Sequence, residues 1–168
     1  MPVKKIIRQN NLPKLENILE ELKSKKIEVG IFTDTPFVCM YAGVSEFGMN
    51  INITPKMRAW LHANGLHVKD STTAIHIPQR SFIRKTANEK DNEISTLLET
   101  NLNLLLTFKI DINIFFNELG QKLVDITKQT VLDTYSPPNH WFTLSRKNGT
   151  HPLIDSSTLL NSITYKIV

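Results

Sequence analysis

Leu66-His67-Val68-Lys69-Asp70-Ser71-Thr72-Thr73-Ala74-Ile75-His76-Ile77 is the clearest strand pattern in the chain. If this segment folds back around Ser71-Thr72, apolar residues share one face and polar residues the other. The register then pairs Leu66 with Ile77 and Val68 with Ile75 on the apolar face, and His67 with His76 and Lys69 with Ala74 on the polar face. This alternation predicts a β-hairpin with one buried face. The turn lacks Asn-Gly or Asp-Gly, so we expect a loop longer than two residues.

Helices and strands are mixed on both sides of this segment, without a repeating βαβ rhythm. Spacing and capping residues predict helices at Asn11 to about Lys25, Asp34-Thr35-Pro36 to Gly48, Thr54-Pro55 to Asn64-Gly65, Thr86 to Phe108 and Asp111 to Val131, a short helical turn capped by Asp155 or Ser156, and strands at Ile27–Thr33 and Ser162–Val168. The predicted class is α+β: a small, mainly antiparallel sheet packed against two longer helices, with a projecting β-hairpin.

Length and composition indicate one domain over residues 1–168. The chain has 168 residues, of which 40% are hydrophobic and 21% charged, enough to bury a core. The longest apolar stretches, such as Leu104–Phe108 and Ile112–Phe116, are much shorter than the roughly 20 residues of a membrane span. The first eight residues lack the apolar run of a signal peptide. We therefore expect a soluble protein made in the cytoplasm, with no membrane partner.

The charge is mildly basic, with 20 Lys+Arg against 16 Asp+Glu and a net charge of +4. The basic residues are scattered, and no run of five like charges occurs. Solvated surfaces explain this distribution best. A small basic DNA-binding or regulatory protein remains the alternative function.

Few residues suggest chemistry. The chain contains no GxGxxG, GxxxxGK[ST], HExxH or GxSxG pattern. His67 and His76 would face each other in the hairpin, but a structural zinc site needs further ligands, so a solvated pair is the favoured interpretation. The single Cys39 excludes an internal disulfide, has no local base and is expected to be a small buried residue. We expect no enzyme, no cofactor and no metal site.

The segment Ile77-Pro78-Gln79-Arg80-Ser81-Phe82-Ile83-Arg84 is more distinctive. Pro78 ends a strand, Phe82 can be buried where a helix begins, and Arg80 and Arg84 project at i,i+4 spacing. One interpretation is a corner with two solvated arginines. The other is a subunit contact, because arginine is enriched at interfaces and binds carboxylates through two parallel hydrogen bonds.

Three segments, taken in order, resemble one protein family. Tyr41–Gly48 resembles its alanine-to-Glu-Phe-Gly segment, Ile77–Arg84 its Ile-Pro-x-Arg-x-Phe-(Leu/Ile)-Arg signature, and Pro152–Tyr165 its C-terminal Pro-Leu-x-Asp-Thr-Gly-x-Leu-x-x-Ser-Ile ending. The family is the neck or tail-completion proteins of tailed bacteriophages, also called head–tail joining or virion morphogenesis proteins. The resemblance covers roughly residues 26–168.

The chain departs from the family pattern in three places. Ser156-Ser157 replaces a Thr-Gly pair, which affects the expected turn. Leu144–Thr150 is a shortened version of a longer family loop. Residues 52–77 look like an inserted hairpin arm of a kind found in some family members.

The resemblance implies a structural virion protein that forms a ring at the head–tail junction of a phage or a phage-tail-like particle. The first implied partner is the protein itself, in a ring of about six copies by analogy with the sixfold tail axis. The others are neighbouring head-connector, tail-terminator, tail-tube or sheath proteins. Non-specific contacts with DNA in the lumen of the ring are also implied. Its implied location is the virion, after assembly in the host cytoplasm. As interface residues we predict Arg80, Phe82, Arg84, Val68, Lys69, Ile75, His67 and His76.

Overall fold

A computed structural model describes residues 10–32 and 36–168. In chain order, the elements of this part are α1 (Leu12–Ser24), β1 (Ile27–Gly30), α2 (Pro36–Phe47), β2 (Met49–Asn52), α3 (Pro55–Ala63), β3 (Ala74–Ile77), α4 (Phe82–Glu89), α5 (Asp91–Leu106), α6 (Ile112–Leu132), α7 (Trp141–Leu144), α8 (Thr158–Asn161) and β4 (Thr164–Ile167). The α+β class predicted from the sequence is confirmed. The predicted helix start at Asp34-Thr35 and the end of the first predicted strand at Thr33 lie outside the described residues.

Helix α6 is the element on which the rest of the fold is built. It has 21 residues and is therefore about 30 Å long. The Asp111 side chain accepts a hydrogen bond from the backbone N–H of Ile114 at 2.9 Å, which confirms the predicted cap. Its N-terminal half belongs to one core cluster, made of Ile18, Leu105, Ile112, Phe115, Phe116 and Leu119. Its C-terminal half belongs to a second, made of Ala42, Phe82, Val124, Val131, Leu153 and Ile163.

Gly120 allows β4 to lie directly on α6. A Cβ atom at Gly120 would lie 2.4 Å from Cδ2 of Tyr165, so no side chain fits between helix and strand. The Tyr165 hydroxyl group donates a hydrogen bond to Oδ1 of Asn117 at 2.8 Å. This close contact joins the C-terminal strand to the middle of the core.

The strands form two separate pairs in the described part of the chain, rather than one small sheet. Strand β1 pairs antiparallel with β4, with Ile27 opposite Ile167. Strand β2 pairs antiparallel with β3, with Met49 opposite Ile77.

The hairpin predicted over Leu66–Ile77 is wrong. Only Ala74–Ile77 is a strand, and its partner is β2, so residues 49–77 form an arm made of β2, α3, an irregular loop and β3. The loop is irregular because side chains of α3 form hydrogen bonds with its backbone N–H and carbonyl groups. The Arg58 guanidinium donates to the carbonyl oxygens of Lys69 at 2.6 Å and Thr72 at 2.7 Å, and Nε2 of His62 lies 3.1 Å from both the backbone N and O of Val68. A β-ladder through this loop would need the same groups.

The helix predicted from Thr86 to Phe108 is two helices. Helix α4 begins four residues earlier, at Phe82, and a break at Lys90, with φ −107° and ψ 12°, separates it from α5. Thr86 lies buried within α4, and its hydroxyl group donates to the carbonyl oxygen of Phe82. The sequence gives no sign of the break, since neither Gly nor Pro occurs there.

Two residues with positive φ lie at the ends of α2 and α8, the helices within the segments that resemble the family. Gly48, with φ +71°, ends α2 as predicted. Ser157, with φ +59°, precedes α8, so neither Asp155 nor Ser156 occupies the cap position. Ser157 is the position at which the resembling family has glycine, the residue that adopts this conformation at least cost.

Candidate interaction surface

Glu46 forms the centre of a buried corner between α2 and α4. Its side chain is 4% exposed. Its two carboxylate oxygens accept hydrogen bonds from the backbone N–H groups of Ile83 at 2.9 Å and Arg84 at 3.1 Å, in the first turn of α4. Oε1 also accepts from Nε of Arg84 at 3.0 Å. A negative charge at a helix N-terminus interacts favourably with the helix dipole, so Glu46 caps α4 from another helix.

Arg80 connects this corner to the loop of residues 137–139. Its guanidinium group donates to the carbonyl oxygens of Pro137 at 2.6 Å and Pro138 at 3.1 Å, and to Oδ1 of Asn139 at 3.1 Å. The side chain of Asn139 in turn donates to the carbonyl oxygen of Pro152 at 3.4 Å. Arg80 is 7% exposed, and burial lowers the pKa of its guanidinium group. All three partners are neutral, so Arg80 organises a loop rather than binding a carboxylate.

Among the predicted interface residues of the corner, only Arg84 remains accessible. Phe82 is fully buried and Arg80 nearly so, so these two side chains stabilise the fold and are not available to a partner. The Arg84 side chain is 48% exposed, and its guanidinium carbon lies 5.0 Å from the centroid of the exposed Phe47 ring.

The predicted interface residues of the arm lie apart from one another. His67 packs edge to face against His62, with ring centroids 5.1 Å apart, whereas Nδ1 of His76 lies 2.8 Å from Oδ1 of Asn50. His67 and His76 therefore do not form the pair that the sequence predicted. Lys69 is exposed as expected, and Val68 and Ile75 are half-buried.

Helix α2 exposes an apolar face. Phe37 and Tyr41 pack edge to face with ring centroids 4.8 Å apart, although both side chains are more than half exposed. Met40 and Phe47 are also exposed on this helix. The only charged residue of α2 is the buried Glu46. We call Phe37, Met40, Tyr41 and Phe47 the α2 face.

A groove of about 490 Å³ adjoins the α2 face. Phe37 and Tyr41 line one side, and residues of the α7–α8 region, including Lys147, Asp155 and Leu159, line the other. The ammonium group of Lys147 donates to the carbonyl oxygens of His151 and Pro152. Burial lowers the pKa of Lys147, Asp155 opposes this effect, and Arg80 adds to it.

A second exposed feature lies where α3 meets α7. Trp60 and Phe142 pack edge to face with centroids 6.1 Å apart, and Phe142 packs likewise against Trp141 at 5.8 Å. The Arg146 guanidinium carbon lies 3.8 Å from the centroid of Phe142. We call Trp60, Trp141, Phe142, Arg146 and Lys56 the aromatic–cationic patch. The sequence does not reveal this patch, because its two parts lie about 80 positions apart in the chain.

Other candidate chemistry is sparse in the described residues. Cys39 is half-buried, as part of α2, with Sγ 3.8 Å from the carbonyl oxygen of Ile31. Residues 10–32 and 36–168 contain no group of three or more His, Cys, Asp or Glu side chains placed to hold a metal ion. In the same ranges, every helix is too short or too polar to cross a bilayer.

The three segments that carry the family resemblance meet at the buried corner. Glu46 and Gly48 of the first segment contact the second, since a Cβ atom at Gly48 would lie 3.0 Å from the carbonyl oxygen of Ile77. The second segment reaches the third through Arg80, Asn139 and Pro152. Comparison of the chain with protein-family models, curated proteins and solved structures gave no match.

Proposed function

We propose that this protein is a structural subunit of the head–tail junction of a tailed phage or phage-tail-like particle. About six copies assemble into a ring through contacts between two different surfaces of neighbouring subunits. The ring lies between the head-connector and the tail-terminator, tube or sheath proteins of the virion. It performs no catalysis.

The α2 face is the observation that carries this proposal. A helix that exposes four large apolar side chains and no charged one is costly in water, and such contiguous apolar surface marks interaction sites. Phe37 and Tyr41 are rigid aromatic residues beside a groove, and aromatic residues are enriched at the cores of protein interfaces. A neighbouring subunit covers this face in the ring.

The arrangement of the resembling segments also supports the proposal. Segments that share one buried corner have a common structural role, and the corner fixes the α2 face relative to the arm. Ser157 adopts a left-handed conformation at the position of the family glycine. Glycine adopts this conformation at least cost, so the backbone here agrees with the resemblance.

The mass and shape of the purified protein test the proposal. Light scattering and negative-stain electron microscopy of the wild type are expected to give a ring of about six copies at high protein concentration. The double variant Phe37→Ser, Tyr41→Ser should stay monomeric at the same concentration, with an unchanged circular dichroism spectrum.

The matched control is Leu12→Ser, Leu19→Ser, which removes two exposed apolar side chains from α1 instead. This control should assemble like the wild type. A wild type that remains monomeric at all concentrations would overturn the ring, and normal rings from the Phe37, Tyr41 variant would overturn the α2 face as the contact.

A further inference from the structure

Both tryptophans of the chain lie in the aromatic–cationic patch. Trp60 is 53% exposed and Trp141 is 55% exposed. The ring of Phe142 lies between them and packs edge to face against each. Two large aromatic side chains are therefore held in place on the surface with part of each ring accessible.

Cations surround these rings without carboxylate partners. Arg146 lies over Phe142, and its Nη2 donates to Oδ1 of Asn64 at 3.0 Å. Lys56 lies one helical turn before Trp60 on α3 and is exposed. Within the described ranges, the ion pairs of the chain involve neither Arg146 nor Lys56. Neutral groups position the Arg146 guanidinium, and neither it nor Lys56 has a carboxylate partner in the part of the chain that the structure describes.

The two segments that carry the patch contain more basic than acidic residues. Residues 53–73 and 139–151, which include α3 and α7 with the loops that follow them, contain five Lys and Arg residues and one Asp, a net charge of +4. All other positions together contain fifteen basic and fifteen acidic residues. The surroundings of the patch are therefore basic.

We infer that the aromatic–cationic patch binds single-stranded nucleic acid without sequence selectivity. Bases stack on Trp60 and Trp141, while Arg146 and Lys56 contact phosphates. Trp, Phe and Arg are also enriched at protein interfaces, but Lys56, a residue type depleted there, and the lack of a carboxylate partner for either cation among the described residues favour a polyanionic ligand. A nucleic acid strand offers regularly spaced negative charges and flat aromatic surfaces in one polymer. The inference does not depend on ring formation.

Intrinsic fluorescence is a direct test, because every tryptophan of the chain is in the patch. Oligo(dT) of about 20 nucleotides, a length spanning one or two typical sites, should quench the emission at low salt and bind more tightly than a duplex of the same length. Binding of a labelled oligonucleotide should weaken about tenfold in Trp60→Leu. Arg146→Ala should lower the salt slope of log K by about one, whereas Lys122→Ala on α6, the matched control, should leave binding nearly unchanged.

Several results would overturn the inference. These are an absence of quenching at low salt, equal or tighter binding of the duplex, or equal effects of the Arg146 and Lys122 substitutions. An emission shift that follows protein concentration and ignores the oligonucleotide would show instead that a second copy covers the patch. Repeating the titration with the Phe37→Ser, Tyr41→Ser variant separates failure of nucleic acid binding from failure of assembly.

Discussion

Oε1 of Glu46 and Nε of Arg84 lie 3.0 Å apart although 38 residues separate them in the chain. The arm leaves the body of the protein after Glu46 and returns before Arg84, so this ion pair closes the base of the arm. The same carboxylate caps α4 through two backbone N–H groups. One buried side chain therefore joins α2 to α4, the two helices between which the arm extends.

Glu46→Gln should destabilise the protein by about 1–3 kcal/mol, since the charge is lost and an amide N–H₂ group faces backbone donors that need an acceptor. Denaturant unfolding measures the change. The matched control is Glu89→Gln, because Glu89 pairs with Lys85 at 3.9 Å on the surface, and its loss should cost less than about 0.5 kcal/mol. Equal stability of Glu46→Gln and wild type would contradict the capping role.

Arg80→Lys should cost about 2 kcal/mol although the charge is kept. A lysine ammonium cannot reproduce the planar arrangement of donors that reaches Pro137, Pro138 and Asn139 together, so buried acceptors lose their partners. Hydrogen exchange should show faster opening around residues 137–139. Arg84→Lys, at a half-exposed site, should have a smaller effect, and a reversed order would contradict this assignment.

Ser157→Gly should stabilise the protein by about 0.5–1 kcal/mol. A left-handed conformation costs roughly 1–2 kcal/mol for a residue with a Cβ atom, and the greater freedom of glycine in the unfolded chain offsets part of the gain. Thermal unfolding measures the shift. Thr158→Gly, one residue later and within α8, should destabilise instead. A loss of stability in Ser157→Gly would show that this backbone conformation is not the native one.

Gly120→Ala should destabilise by about 1–3 kcal/mol, because the new methyl group meets the ring of Tyr165. Gly43→Ala provides the comparison within another helix. No atom lies within 4 Å of a Cβ placed at Gly43, so its higher helix propensity should add about 0.5–1 kcal/mol of stability. Paired unfolding curves measure both changes, and a neutral or stabilising Gly120→Ala would refute the contact between α6 and β4.

The sequence predicts local features of this fold well. Asp111 and Thr54 cap the helices that they open, because a cap depends on a side chain and a backbone N–H group only a few residues away, whereas the Asn11 side chain, also expected to cap, makes no such hydrogen bond. Gly48 ends α2 for a similar reason. The apolar stripe of α6 also follows directly from residue spacing.

Contacts between distant segments account for the errors. The alternation in Leu66–Ile77 is genuine, but Arg58 binds the carbonyl groups of its first half, so only the second half forms a strand. The i,i+4 spacing predicted that Arg80 and Arg84 project together from the corner before the helix. In the folded protein their environments differ. Arg80 is buried against Pro137–Asn139, whereas Arg84 binds Glu46 and stays half-exposed. The aromatic–cationic patch is equally non-local, because Trp60 and Arg146 meet only in the folded chain.

Gly48 and Ile77 contact each other where the arm begins and ends, and this has a consequence for how such a gene can change. Because the arm enters and leaves the body at a single point, its length can vary without moving α2, α4 or the buried corner. Insertions and deletions in the arm change how far it extends and leave the buried corner in place. The surface of the protein can therefore vary at this point while its core stays the same.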